Sequence, residues 1–161
     1  MKLGYQTITW GGVVGQAQGV TSIKDLFYQT YGSTAKACQD IAAAGYTGIE
    51  IFDGNLAEYA TDPDSFKNLL SQHKLELVSV YTGANFIYND ILVDEFHKIK
   101  QAISFAKSMG AINLIVGGGA KRSTGTTEED YRMLAKGLDQ VTDLAAAAGL
   151  TAFTLGAVYS F

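Results

Sequence analysis

Apolar residues in this chain follow two rhythms, and the switches between them set its order of elements. Short, dense apolar runs alternate with longer stretches in which apolar residues return every three or four positions. The clearest switch is AAAGYTGIEIFDGN, Ala42 to Asn55. A helix of small residues ends at Gly45, a strand runs from about Thr47 to Phe52, and polar Asp53, Gly54 and Asn55 follow at once. The same order returns in SMGAINLIVGGG around Gly110 and in AAAAGLTAFTLG around Gly149. In each, a glycine suited to a left-handed helix C-cap is followed within two residues by a strand, so the chain is counted in βα units.

The pattern predicts the remaining elements in turn. Lys2 to Trp10, rich in β-branched and aromatic residues, reads as a first strand stopped by Gly11 and Gly12. From Gly11 to Gly32 the chain is rich in glycine and glutamine, with one short helical possibility in SIKDLFYQTY. That length suits either a loop covering a site or a flexible flank. Ser33 caps a helix with its apolar line at Ala37, Ile41 and Ala44. Asp62 and Pro63 open another, with Phe66, Leu69 and Leu70 as its stripe, ending near His73. Leu75 to about Tyr81 is the third strand. Leu92, Phe96, Ile99, Ile103 and Ala106 mark one face of a longer helix that ends at Gly110. The strand AINLIV then reads as one covered on both faces. Thr126 with Glu129 forms a T-x-x-E capping box for a helix whose face is Leu134, Leu138, Val141, Ala145 and Ala148. A fifth strand begins at Leu150.

With 161 residues, 47% hydrophobic and 17% charged, the chain is expected to form a single α/β domain over residues 1–161. A net charge of −4 and the lack of any Lys or Arg run argue against nucleic-acid or anionic-membrane partners and leave small molecules. Cys38, the single cysteine, sits among small helix residues and reads as a buried small hydrophobe. No signal segment or apolar span is evident, so a cytoplasmic location is expected. Two architectures fit the β-α-β-α-β-α-β-α-β count. One is an open, flavodoxin-like parallel sheet with helices on both faces; the other is part of a (β/α) TIM-type barrel, which in full has eight units.

GYQTITWGG, AAAGYTGIEIFDGN, LELVSVYTGANF and AINLIVGGGAKR, followed by TEEDYRMLAKGLDQVTDLAAAAGLTA, resemble in order and spacing the first half of the xylose isomerase-like TIM-barrel family. That family includes sugar-phosphate isomerases and epimerases and inosose dehydratases. The resemblance implies a half-barrel of about four βα units plus a fifth strand, and it ranks that fold above the open sheet. It also implies a small carbohydrate as substrate or ligand. In full-length relatives it implies a divalent metal, held mostly by carboxylates and histidines on strands five to eight. This chain has no His, Asp or Glu after Asp143, and His73 and His97 lie on helical segments, so no cofactor is identifiable and no metal ligand is carried over. The apolar tail TLGAVYSF, with no helix after it, is what a truncated or frame-altered half-barrel would leave.

Candidate site residues follow the strands, where a barrel has its mouth. The resemblance makes Trp10 a sugar-stacking or pocket-wall residue, and a core aromatic is the other reading. Glu50 lies on the strand parity opposite Ile49 and Ile51, and in relatives a glutamate here faces the pocket. Buried alone it would cost several kcal/mol, so it needs a partner. Asp53 and Asn55 either bond sugar hydroxyls or make a turn, and Tyr81 and Asn85 hold the corresponding place after strand three. Gly117, Gly118 and Gly119 beside Lys121 and Arg122 either bring backbone N–H groups to an anion or pack closely under the rim. The spacing is neither a Walker loop nor a dinucleotide fingerprint. Two functional classes result: a sugar isomerase or epimerase-like protein acting on or binding a carbohydrate, and a non-catalytic half-barrel that self-associates, as a homodimer, or binds a sugar or phosphate. The inner face and free strand edges of a half-barrel predict the self-association.

Overall fold

The computed structural model describes residues 3–11 and 28–154. Most of the glycine-rich connection after Gly11, part of SIKDLFYQTY, and the tail beyond Thr154 therefore lie outside the described residues. Five strands form one sheet: β1 (Gly4–Gln6), β2 (Gly48–Phe52), β3 (Glu76–Gly83), β4 (Asn113–Gly117) and β5 (Thr151–Thr154). Between them run α1 (Thr34–Ala43), a short α2 (Asp53–Leu56), α3 (Pro63–Gln72), α4 (Leu92–Ser108) and α5 (Glu128–Ala147).

Strand order decides between the two architectures. The strands lie side by side in sequence order, and every neighbouring pair is parallel. A doubly wound sheet reverses direction at a switch point, and this one never does. The flavodoxin-like alternative is therefore set aside, and the winding is that of a (β/α) barrel through about half its circuit.

One face of the sheet is covered. Ile49, Ile51, Val80, Leu114 and Val116 point to it and are at most 1% exposed, packed with Ile41, Phe66, Ile99, Ile103, Val141 and Ala145 of the helices. Cys38 belongs to this layer, with its thiol pushed up to about 11 chiefly by burial. The opposite, inner face is only half-buried or exposed at Gln6, Glu50, Val78, Tyr81, Ile115, Thr151 and Phe153. The AINLIV strand is thus covered on one side rather than two.

The helix-to-strand switches form as their sequences dictate. Gly45, Gly110 and Gly149 follow α1, α4 and α5 at φ of 88°, 76° and 83°, which a residue with a Cβ resists. The Ser33 side chain caps α1 by accepting from Lys36 N, and Asp62 caps α3 by accepting from Ser65 N. Three local expectations change. The first strand spans only Gly4–Gln6, because Thr7–Trp10 turns into a 3-10 helix that buries Thr7 against Thr30. Asp-Gly-Asn opens a helical turn rather than a bare loop. The capping box of α5 is Thr127 with Asp130, one residue on from Thr126 with Glu129. Asp130 prevails because it is 3% exposed and also accepts from Arg122 Nε at 2.8 Å, whereas Glu129 stays at the surface.

Candidate functional site

The strand register sorts the inner face into rows. Gln6, Glu50, Ser79, Asn113 and Thr151 are successive partners, giving a polar row with one residue from each strand. Two residues toward the strand C-termini, Phe52, Tyr81, Ile115 and Phe153 form an apolar row. Beyond that, Gly83 faces Gly117. On the N-terminal side Gly4 pairs with Gly48, and Val78 lies over both: a Cβ on either would stand 2.8 Å from its methyls. Val78 takes this place because the register shifts between Ile49 and Glu50, which inserts one extra residue in β3.

Glu50 is the carboxylate of the polar row, and both its oxygens are held. Gln6 Nε2 donates to Oε1 at 2.7 Å, and the Ser79 hydroxyl makes a short hydrogen bond to Oε2. The charge-assisted bonds supply the partner that its half-buried position needs. Asn113 Nδ2 donates to Val78 O at 3.3 Å.

The apolar row is capped by Tyr28, which reaches in from the connection before α1. Its ring stacks on Phe52 at 6.1 Å and 16° and meets Tyr81 edge-on at 4.7 Å, while Phe52 and Tyr81 meet at 5.4 Å. Burial first, and then the neighbouring Tyr81, raise the Tyr28 hydroxyl well above the ordinary phenol range. Gly117 makes this arrangement possible, since a Cβ there would lie 2.7 Å from the Tyr81 hydroxyl and 2.9 Å from that of Tyr28.

Asp53 lies on the other side of the strand end, beneath α4. Its Oδ2 accepts from Thr82 Oγ1 at 2.6 Å, and its Oδ1 is shut off from solvent with no hydrogen-bond partner. Burial pushes its carboxyl up to about 6, against the lowering effects of the Thr82 hydroxyl and Lys98. Next to it Glu95, 2% exposed, accepts from the Asn85 backbone N–H at 2.7 Å and from Asn85 Nδ2 at 3.2 Å, and pairs with Lys98 at 2.8 Å. Asn85 Oδ1 in turn accepts from Ala120 N at 2.9 Å, tying the loop after β3 to the loop after β4.

The other sequence candidates fall away from the inner face. Trp10 packs edge-on to Tyr5, whose register partner Ile49 belongs to the helix-covered side, and donates from Nε1 to Asp40 Oδ2 at 3.1 Å. Asn55, 1% exposed, grips the backbone of Thr30: Oδ1 accepts from Thr30 N at 2.9 Å and Nδ2 donates to Thr30 O at 2.7 Å. Gly118 passes under Leu134, and Gly119 presses against the Ala84 carbonyl. Arg122 is engaged by Asp130, by Ile87 O at 2.5 Å and by the ring of Tyr88, 4.9 Å away. Lys121 is exposed, and its carbonyl accepts from Tyr88 at 3.2 Å.

Of these candidates, the structure therefore brings Glu50, Tyr81 and Gly117 together on the inner face. Sequence reasoning missed Gln6, Ser79, Asn113 and Thr151, although each lies on a strand and follows from Glu50 once the register is known. Tyr28 lies in SIKDLFYQTY, the short helical possibility of the long connection, but residues 28–31 form no helix, and nothing local in the sequence singled out its ring.

A divalent metal does not fit the donors among the described residues. Among the described residues no three His, Cys, Asp or Glu side chains gather into a group that could hold one. Both oxygens of Glu50 are already hydrogen-bonded within the chain, Asp53 lies behind the sheet, and His73 and His97 sit on α3's C-cap and on α4.

Solved structures with the same fold are larger. The D-psicose 3-epimerase of Clostridium cellulolyticum H10, determined with D-tagatose, superposes with a TM-score of 0.69 at 15% identity over 94% of this chain and 51% of its own. A sugar phosphate isomerase/epimerase from Parabacteroides distasonis gives 0.64 at 16% over 95% and 50%. A xylose isomerase-like TIM barrel protein from Mycobacterium smegmatis, in complex with magnesium, gives 0.67 at 14% over 95% and 54%. This chain thus spans about half the length of each. No curated protein sequence matches it. The family described as the xylose isomerase-like TIM barrel matches residues 38–154, from α1 through β5, and the chain belongs to that family.

Proposed function

We propose that this chain supplies the sugar-binding wall of a sugar isomerase or epimerase-type site. The observation that carries the reading is the junction of the two inner rows. The rings of Phe52 and Tyr81, capped by Tyr28, lie two residues above Glu50, Gln6 and Ser79 along the strands. A small sugar needs that combination: an aromatic face for its C–H surface and fixed planar polar groups for its hydroxyls. The sugar epimerases and isomerases among its structural neighbours support the same substrate class. Glu50 accepts from hydroxyls, Gln6 and Asn113 donate, and the aromatic row excludes water from one side of the ring. The chain's own share of the chemistry is to bind and orient, because the donors among its described residues do not fit the metal that the family resemblance implies.

The non-catalytic reading is separated by one pair of assays. Saturation-transfer NMR with D-tagatose, D-fructose and D-psicose is expected to show binding at about millimolar affinity, weakened by Tyr81→Ala and by Glu50→Gln. Turnover of the same sugars with added Mg²⁺ or Mn²⁺ is expected to be absent for the chain alone. Absence of binding to any of these sugars would refute the proposal, and metal-dependent turnover would refute the restriction to binding.

A further inference from the structure

The inner face is also an interaction surface, and we infer that a second copy of this chain faces it across one barrel closed from two half-barrels about a two-fold axis parallel to the strands, with the mouth at the strand C-termini left open to a sugar. Four observations lead there.

First, among the described residues the sheet has two free edges, because β1 pairs only with β2 and β5 only with β4. Natural sheets usually protect such edges with lysine, proline or a bulge. Here the edge strands read Gly-Tyr-Gln and Thr-Ala-Phe-Thr, with no charge and no proline. Second, all the strands run the same way, so a half-turn about an axis along them lays β5 of one copy beside β1 of the other in the parallel sense used throughout the sheet. The operation makes that pairing twice and removes every edge, which an open head-to-tail contact would not do.

Third, Tyr28 covers the apolar row only at its Phe52 and Tyr81 end. Phe153 is 51% exposed and Ile115 is half-buried, while Ile115's strand neighbours Leu114 and Val116 on the other face are at most 1% exposed. Fourth, the charge of the row permits closure onto an identical face. Glu50 is the one ionisable residue of the polar row, and Gln6 and Ser79 already satisfy both its oxygens. A covering surface therefore need not bring a cation, as it would for an unpaired carboxylate. A second copy brings amides and hydroxyls from Gln6, Asn113 and Thr151, and its own Glu50 is held in the same way by its own Gln6 and Ser79.

Size sets the strength. Five strands at about 4.8 Å and some five residues at about 3.3 Å give a face of roughly 24 by 16 Å, well under the roughly 800 Å² per partner of standard stable complexes. The expected dimer is therefore reversible, with a dissociation constant of roughly 1–100 µM.

Sedimentation velocity of the purified chain over roughly 1–300 µM, a range bracketing that constant, tests it. The wild type is expected to shift from monomer to dimer and stop there. Ile115→Arg and Phe153→Asp are expected to raise the dissociation constant at least tenfold, and Phe153→Asp is the safer variant for folding because its side chain is already exposed. Val93→Asp, at an 84% exposed site on α4 at the opposite side of the sheet, is expected to leave association unchanged. Amide exchange in β1 and β5 is expected to slow as concentration rises. A wild type that stays monomeric throughout the range overturns the inference. So does growth past two copies, or association that survives both inner-face variants, or loss in Val93→Asp alone.

Discussion

Replacing Asp53 by asparagine isolates the cost of one buried carboxylate. Its Oδ1 has no hydrogen-bond partner and its Oδ2 is held by Thr82 at 2.6 Å. Burial lifts its folded pKa from 3.8 to about 6. Between those values the folded chain binds more protons than the unfolded one, so this group's contribution falls as pH rises through the window. The full penalty stands above about pH 7 and is absent below about pH 4. A shift of about two units corresponds to roughly 3 kcal/mol at alkaline pH. The side chain introduced by Asp53→Asn would keep an oxygen for the Thr82 hydroxyl and lose the charge, but its amide nitrogen would take the unpartnered position, at roughly 1–2 kcal/mol. The expected result is a variant more stable than wild type by about 1–2 kcal/mol at pH 8, with no gain at pH 4.5. Urea unfolding at the two pH values measures it, and taking the difference from wild type cancels the other titrating groups. A variant no more stable at pH 8, or equally stabilised at both pH values, would refute the burial argument.

Three further changes test the positions around the inner face. Gly117→Ala forces a methyl to within 3 Å of two tyrosyl hydroxyls and is expected to cost about 1–3 kcal/mol and to alter the near-UV circular dichroism; an unchanged melt and spectrum would count against the close approach. Asn55→Ala strips both backbone bonds from Thr30 and is expected to cost about 2–4 kcal/mol, with faster amide exchange at Thr30; slow exchange in the variant would contradict the grip. Thr127→Ala is expected to lower stability by about 1 kcal/mol and Thr126→Ala by less than about 0.5 kcal/mol, and the reverse order in thermal unfolding would restore the upstream capping box.

How far the chain could be read depended on whether a feature was local. The switches at Gly45, Gly110 and Gly149 were legible because a helix face, its capping glycine and the next strand all lie within a few residues. The same holds for the faces of α3 and α4 and for the caps at Ser33 and Asp62. Trp10 was misplaced on strand one because its partner Asp40 lies 30 residues on, and that bond belongs with the turn ending the strand early. Asn85 looked like a mouth residue for a similar reason. Its position after a strand is local, but its engagement by Glu95 and Ala120 depends on how α4 and the loop after β4 come together. Glu50 was legible from parity alone, since it points opposite Ile49 and Ile51. Gln6 and Ser79 were not, because a one-residue shift in β3 decides which side chains meet it. The capping box shows the limit of a motif: two overlapping patterns were available, and the contact of Arg122 with the buried Asp130 selects one.

The most direct measurement is a ¹H–¹⁵N NMR titration of the labelled chain with a ketohexose. Amide and side-chain shifts are expected to gather at Gln6, Glu50, Ser79, Tyr81 and Asn113, on the inner face, with little change along α4 and α5. Shifts confined to the outer helices, or spread without pattern at saturating sugar, would contradict the assignment of the inner face as the carbohydrate site.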